Sequence, residues 1–135
     1  MVTGACGCRN VTYTIDGDES AMKPGACHCL SCRRLSGSTH TTMLGIPQAQ
    51  FKVTGTPKQW QRKGDSGGTV TVNFCAECGH HLFSEAENIP GLVLVVAGSI
   101  DDAKWLDARA PFMEVYAKDK VQWVPQLSEV VKKVV

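Results

Sequence analysis

The sequence predicts a mostly-β domain with at most short helices. Three observations carry that prediction. Short segments in which apolar and polar residues alternate dominate the chain, and they are separated by Gly- and Pro-containing breaks. Hydrophobic residues make up 43% and charged residues 20%, ordinary values for a folded globular chain. At 135 residues with no internal repeat, low-complexity stretch or long linker, residues 1–135 read as a single domain.

The elements follow in chain order. Val11, Tyr13 and Ile15 alternate with Thr12 and Thr14, the pattern of a strand with one buried face. A short helix is expected after Cys29. Residues 41–46, 51–53 and 58–62 read as further short strands, separated by Gly45-Ile46-Pro47 and Gly55-Thr56-Pro57. Residues 69–74 alternate cleanly and run straight into Cys75. Residues 92–97 are bounded by Pro90-Gly91 and Gly98, and their β-branched run predicts a central strand buried on both faces. Residues 112–117 and 121–124 suggest a last hairpin around Lys118-Asp119-Lys120. Leu127, Val130, Val131 and Val134 have helical spacing, with Ser128 as a cap, although valine is a mediocre helix former.

Charge and composition exclude several classes of function. Fourteen Lys and Arg stand against thirteen Asp and Glu, a formal charge of +1. That balance lacks the basic excess that drives phosphate-backbone binding, so a dedicated nucleic-acid binder is not expected. The start, Met1-Val-Thr-Gly-Ala-Cys6, shows no basic segment followed by an apolar core. The longest apolar run, residues 91–98, is far shorter than the ~20 residues that span a bilayer. The expectation is a soluble cytoplasmic protein whose thiols are kept reduced.

Seven cysteines are the anomaly, and an odd number fits poorly with a complete set of disulfides. They fall in three clusters: Cys6-Gly-Cys8, Cys27-His-Cys29-Leu-Ser-Cys32 and Cys75-Ala-Glu-Cys78. Zinc takes a tetrahedral set of thiolate and imidazole ligands, and a Cys-x-x-Cys turn brings two sulfurs to one ion. Gly79 after Cys78 supplies the positive φ that such turns often need. The economical division has Cys6, Cys8, Cys75 and Cys78 closing one structural site. Cys27, Cys29 and Cys32 then hold a second ion with an open fourth position, as functional zinc sites do. Two alternatives stand beside it. His28, His40, His80 or His81 could complete the second site, or the triplet could be a redox thiol set without metal.

The motifs Gly4-Ala-Cys-Gly-Cys8, Cys27-His-Cys-Leu-Ser-Cys-Arg-Arg-Leu-Ser-Gly37 and Phe74-Cys-Ala-Glu-Cys-Gly79 resemble the glutathione-dependent formaldehyde-activating enzyme family. Its members are also described as S-(hydroxymethyl)glutathione synthase-like or centromere-protein-V-like. Phe51-Lys-Val-Thr-Gly55, Ala97-Gly-Ser-Ile-Asp101, and Pro111-Phe-Met-Glu-Val-Tyr116 followed by Trp123 look similar too. The resemblance implies an Mss4-like fold of several small coiled antiparallel sheets. It also implies a structural zinc at Cys6, Cys8, Cys75 and Cys78 and a functional zinc at Cys27, Cys29 and Cys32. The implied chemistry is that of a carbon–sulfur lyase or synthase, in which a glutathione thiolate adds to formaldehyde or a related aldehyde. One departure is visible: the family often has glycine after the second cysteine of the first motif, where this chain has Arg9.

Glutathione carries two carboxylates, so cations are expected near the functional centre. Arg33 and Arg34 adjoin Cys32 and are the first candidates, with Arg62 and Lys63 next; the alternative for each is a solvated surface charge. His40, His80 and His81 are weaker candidates for a base, the last two following Cys78 closely. Trp60, Trp105 and Trp123 are expected in the core or in pocket walls, and Asp101 and Asp102 in a turn. Competing readings are a non-catalytic carrier of glutathione or another small thiol, and a zinc-stabilised interaction module. A methionine-sulfoxide reductase ranks last, because its paired Cys-x-x-Cys ligands are replaced here by one Cys-x-Cys and no isolated thiol is left over.

Overall fold

The computed structural model of the chain describes residues 1–132. Eleven strands in two sheets and one α-helix make up these residues, so the mostly-β expectation holds. The smaller sheet has the order β1 (Val2–Ala5), β2 (Thr12–Ile15), β5 (Phe51–Thr54), antiparallel throughout. Its inward residues follow the alternation: Val2, Tyr13 and Ile15 are buried while Thr12 and Thr14 are half-buried. Ile15 pairs with both Val2 and Phe51, and the Phe51 ring packs 4.8 Å from that of Phe83 in the larger sheet.

The larger sheet is built from β3 (Pro24–Cys27), β4 (Thr41–Pro47), β6 (Lys58–Lys63), β7 (Thr69–Phe74), β8 (His81–Ala86), β9 (Leu92–Val96), β10 (Met113–Val115) and β11 (Val131–Lys132). Their order across the sheet is β11-β10-β3-β4-β9-β8-β7-β6. The single helix α1 (Leu30–Ser36) follows Cys29, as expected, and ends on Gly37 at φ 66, a left-handed cap that glycine adopts without strain. It is far too short to cross a membrane, and no other helix of the described residues is long and apolar enough to do so.

Four sequence expectations need correction. The first is that β9 is not buried on both faces. It is central and antiparallel to β4 and β8, with Val93 and Val95 buried, Leu94 and Val96 half-buried and Leu92 exposed. An antiparallel sheet seals one face and leaves the other partly solvated, whereas the two-sided expectation belongs to parallel sheets.

The last hairpin also does not form. Tyr116 turns the chain out of β10 at φ 54, Ala117–Asp119 make a 3-10 turn, and residues 121–124 form another turn. β10 instead pairs in parallel with β3 on one side and β11 on the other. The helix expected from Leu127 onward is replaced by extended chain, with Val131 in β11. β10 offers an unpaired edge there, and valine prefers a strand. Val134, the remaining residue of that expectation, lies outside the described residues.

Of the three tryptophans, Trp105 is buried under the Arg109 guanidinium, 3.9 Å from its ring, and its indole N–H donates to Glu19. Trp123 is 76% exposed, because the 121–124 turn points Val124 inward instead.

β1, β3 and β8 lie outside the predicted strands. β3 opens on Pro-Gly, which reads as a turn, yet proline is tolerated as the first residue of a strand. The two sheets meet where a Cβ on Gly4 would lie within 2.2 Å of the Tyr13 phenol and 2.7 Å of the Ser99 carbonyl. Tyr13 and Ser99 hydroxyls are hydrogen-bonded at 2.8 Å across this contact. Gly4→Ala is therefore expected to destabilise the protein by about 2 kcal/mol, while Gly98→Ala, whose Cβ meets nothing within 4 Å, stays near wild type in urea unfolding.

Candidate functional site

The sulfurs of Cys6, Cys8, Cys75 and Cys78 lie within 4.8 Å of one another. Cys6 and Cys8 come from the loop between β1 and β2, Cys75 and Cys78 from the turn between β7 and β8, so the cluster joins the two sheets. Backbone geometry builds each half. Cys6 N–H donates to the Val11 carbonyl and Arg9 N–H to the Cys6 carbonyl, while Gly79 N–H donates to Cys75 with Gly79 at φ 77. His80 sits on the opposite half-site: its Nδ1 accepts from Gly7 N–H at 3.0 Å, an approach so close that any Cβ at position 7 would meet the ring.

Sulfur separations of 3.7 Å (Cys6–Cys8) and 3.6 Å (Cys8–Cys75) are too long for disulfides, which require ~2.05 Å. They match the ~3.8 Å edge of a sulfur tetrahedron around an ion at ~2.3 Å, the zinc–thiolate distance. Backbone N–H groups of His80 and Cys8 bring the Cys78 thiol down to about 6, whereas at Cys8 a backbone N–H of Asn10 is outweighed by burial and the crowding of Cys75, Cys6 and Cys78, which push that thiol up to about 12. The four residues fit a closed metal site.

The second cluster brings together Cys27 at the end of β3, Cys29 at the N-cap of α1 and Cys32 in its first turn, again within 4.8 Å. No histidine nitrogen, and no other Cys, Asp or Glu ligand atom of the described residues, joins this group. Contact with Cys27 and Cys32, then the Cys32 N–H at 3.3 Å and the charge of Arg62, holds Cys29 well below the usual thiol range. Cys27 is pushed up correspondingly, by Cys29 and then Cys32. The three sulfurs converge from one strand-to-helix junction, and they suit an ion held from one side.

The surroundings of the triplet come from distant parts of the chain. Arg62, on β6, is the cation whose charge reaches Cys29. Arg33 is half-buried and Arg34 exposed on α1, and neither makes an ion pair among the described residues. Lys63 faces away from Arg62 on β6, with its Nζ donating to the Thr69 hydroxyl. Tyr116 donates to the Asp65 carboxylate at 3.1 Å; burial and that contact, with the charges of Cys29 and Cys27 nearby, push its phenol up to about 12.

His28 points away from the sulfurs and is wholly buried, 2.8 Å from Glu114. His40 stacks on His28 with ring centroids 5.3 Å apart, and its Nδ1 is hydrogen-bonded to the Thr39 hydroxyl. His81 is engaged with the Ser84 hydroxyl at 2.8 Å, and burial lowers its pKa. An open groove of about 430 Å³ runs between α1 and the β6–β7 hairpin, lined by Leu35, Lys58, Trp60, Val72, Phe74 and His81. Lys58, Trp60 and Arg62 share one face of β6. Of these residues, sequence reasoning passed over Tyr116, Asp65, Lys58 and Glu114. Glu114 and Tyr116 did carry a signal, since both lie in the Pro111–Tyr116 stretch that resembles the family, but no role followed from it.

Residues 1–119 match the sequence profile of the family described as glutathione-dependent formaldehyde-activating enzyme. The chain belongs to this family. A crystal structure of a Rhodobacter sphaeroides protein is similar in fold, with a TM-score of 0.59 at 18% identity, over 74% of this chain and 88% of that one. No curated protein matches the chain.

Family membership gives Arg9 its meaning. Arg9 holds φ 64, the left-handed conformation that glycine adopts freely and that costs a larger residue about 1 kcal/mol. Its guanidinium is 2.9 Å from Asp101, which also accepts from the Thr3 hydroxyl at 2.7 Å, so the charged side chain bridges the Cys6–Cys8 loop to the start of the 101–108 segment. The pair is solvent-exposed and screened, so it contributes little to stability. Arg9→Gly should therefore be close to neutral in thermal unfolding, and Arg9→Ala less stable than Arg9→Gly by about 1 kcal/mol.

Proposed function

We propose that the chain binds glutathione through its thiol at the Cys27–Cys29–Cys32 centre and adds it to formaldehyde or a related aldehyde, as a carbon–sulfur lyase acting in the synthetic direction. The observation that carries this reading is a triplet of converging sulfurs with no fourth ligand among the described residues, in a chain of the formaldehyde-activating family. Zinc held by these three cysteines would leave a coordination position for an incoming thiol and lower its pKa from ~8.5. Cys6, Cys8, Cys75 and Cys78 would hold the second, structural zinc.

The protein's own contribution is to bind and orient. Arg62 sets a positive field at the sulfurs, and Lys58 extends it along the groove. Two cations on one strand face complement the two carboxylates of glutathione, and the exposed ring of Trp60 offers a flat surface for its peptide planes. In the reaction the thiolate sulfur forms a bond to the carbonyl carbon. The π electrons move to oxygen, which takes a proton from water, giving S-hydroxymethylglutathione. The reverse step breaks the same C–S bond.

One observation favours a second reading, a glutathione carrier without catalysis. Each histidine near the two clusters is already hydrogen-bonded: His28 to Glu114, His40 to Thr39, His80 to Gly7 and His81 to Ser84. One ring nitrogen of each is thus committed, which limits its use as a base. A steady-state assay of formaldehyde with glutathione, with the uncatalysed addition subtracted, separates the two readings.

Cys29→Ser is expected to remove one of two zinc equivalents and to weaken glutathione binding at least ~10-fold by calorimetry, while the fold survives. Wild-type glutathione binding in that variant would overturn the reading. Arg62→Gln should weaken glutathione binding roughly 10-fold, and Arg34→Gln by much less, because only Arg62 bears on Cys29.

A further inference from the structure

We infer that Glu114 is a positioning residue for the three-cysteine centre, acting through His28 and latching the chain's C-terminal strap onto it. This inference rests on the reading that Cys27, Cys29 and Cys32 hold a metal. His28 stands between two of those cysteines, and its side chain is 0% exposed. Its Nε2 lies 2.8 Å from Glu114 Oε1, and Glu114 is 1% exposed. A carboxylate only accepts, so Nε2 carries the proton and donates. The other carboxylate oxygen accepts the backbone N–H groups of Leu127 at 2.9 Å and Ser128 at 3.2 Å. Glu114 is thus fully used: one oxygen holds the segment between two metal-binding cysteines, the other holds the strap.

The backbones repeat the connection. β3 and β10 pair in parallel with Cys27 opposite Val115 and Ala26 opposite Glu114, and His28 N–H donates to the Val115 carbonyl at 3.1 Å. Glu114 N–H donates to the Val130 carbonyl at 2.9 Å, and Glu114 is in register with Val131. The Cys27–Cys29 segment is therefore fixed from behind by main chain and side chain together.

Stability alone gives no reason for this arrangement. Apolar residues of similar volume often replace a buried ionic pair without loss of stability. This pair also leaves His28 Nδ1 buried without any hydrogen-bond partner, a cost that an apolar replacement would not carry. What the pair supplies is one fixed orientation of His28, and hence of the two sulfurs on either side of it. Metal sites lose affinity when the groups orienting their ligands are removed, typically 10–100-fold.

The test is cobalt titration of the metal-free full chain, followed by the thiolate-to-cobalt absorption bands. Cys29→Ser and Cys75→Ser assign the two equivalents. Glu114→Gln keeps the side-chain volume and an oxygen for the strap but replaces the anion facing His28. It is expected to weaken the equivalent lost in Cys29→Ser at least ~10-fold and shift its bands, leaving the equivalent lost in Cys75→Ser unchanged. Glu114→Asp, which restores the anion on a shorter arm, should recover part of the affinity. Ile15→Ala, in the other sheet, serves as a destabilised control and should leave the triplet's affinity intact.

Wild-type affinity and bands at the triplet in Glu114→Gln would overturn the inference, as would equal weakening of both equivalents or the same loss in Ile15→Ala. A wild-type chain that binds cobalt only at the four-cysteine cluster would instead remove the metal reading on which the inference stands.

Discussion

The convergence of four sulfurs from two sheets is the constraint on which the rest of the architecture depends. Cys6 and Cys8 belong to the smaller sheet and Cys75 and Cys78 to the larger, and 67 residues of chain separate the sulfurs of Cys8 and Cys75, which lie 3.6 Å apart. Closing a loop of that length costs conformational entropy that few other contacts at this edge offset. The sheets also share one apolar core, in which Val2, Tyr13 and Ile15 join Leu44, Leu82 and Phe83, and they meet at the Tyr13–Ser99 hydrogen bond, the Gly4–Ile100 bridge and the exposed Arg9–Asp101 pair. Structural zinc contributes about 10–16 kcal/mol to folding in small domains, as much as a whole domain's net stability of ~5–15 kcal/mol. An ion at this cluster would therefore decide whether the sheets stay docked.

The two clusters differ in how their sulfurs are satisfied. In the fourfold cluster every sulfur faces others from a paired loop, and backbone N–H groups supply the remaining polarity, as the lowering of Cys78 by His80 and Cys8 records. A tetrahedral ion there is saturated and has nothing to offer a substrate. In the triplet all three sulfurs come from one strand-to-helix junction, so they approach an ion from one side only. Arg62 and Tyr116, the latter bonded to Asp65, are brought from other elements near enough to interact with these sulfurs through charge. With metal bound, this asymmetry of chain supply, more than the count of cysteines, would close the first site and leave the second open on one side.

What could be read in the sequence was what is local. Alternation over residues 69–74 placed β7 to the residue, and Cys29 with its downstream turn announced α1. The grouping of cysteines followed from spacing and tetrahedral coordination, and the sulfurs assemble in the same two groups. Nonlocal pairings were out of reach. β3 reads as a Pro-Gly turn until β4 and β10 flank it, and the valines near the C-terminus read as a helix until the open edge of β10 makes a strand the better partner. The candidate cations were ordered by nearness in sequence, Arg33 and Arg34 ahead of Arg62 and Lys63. Arg33 and Arg34 are next to Cys32 in sequence, but a helix sends consecutive side chains around its axis, and the charge that reaches Cys29 comes from Arg62 on a strand 33 residues away.

Arg9 and Glu114 show two ways a local rule can be broken. Arg9 places a large side chain in a conformation suited to glycine, and the Asp101 contact that accompanies it is solvent-exposed, so the strain and the ion pair nearly cancel. The chain can carry such a change with little consequence. Glu114 places a charge inside an apolar strand, where a missing partner would leave an uncompensated buried carboxylate. Each of its oxygens has a partner on a different element, and those partners border the cysteine triplet and the C-terminal strap. A residue so exacting in its surroundings imposes one arrangement on everything it touches, because any other would strand the charge. The exposed exception adjusts a loop; the buried one ties the segment between Cys27 and Cys29 to the chain's C-terminal strap.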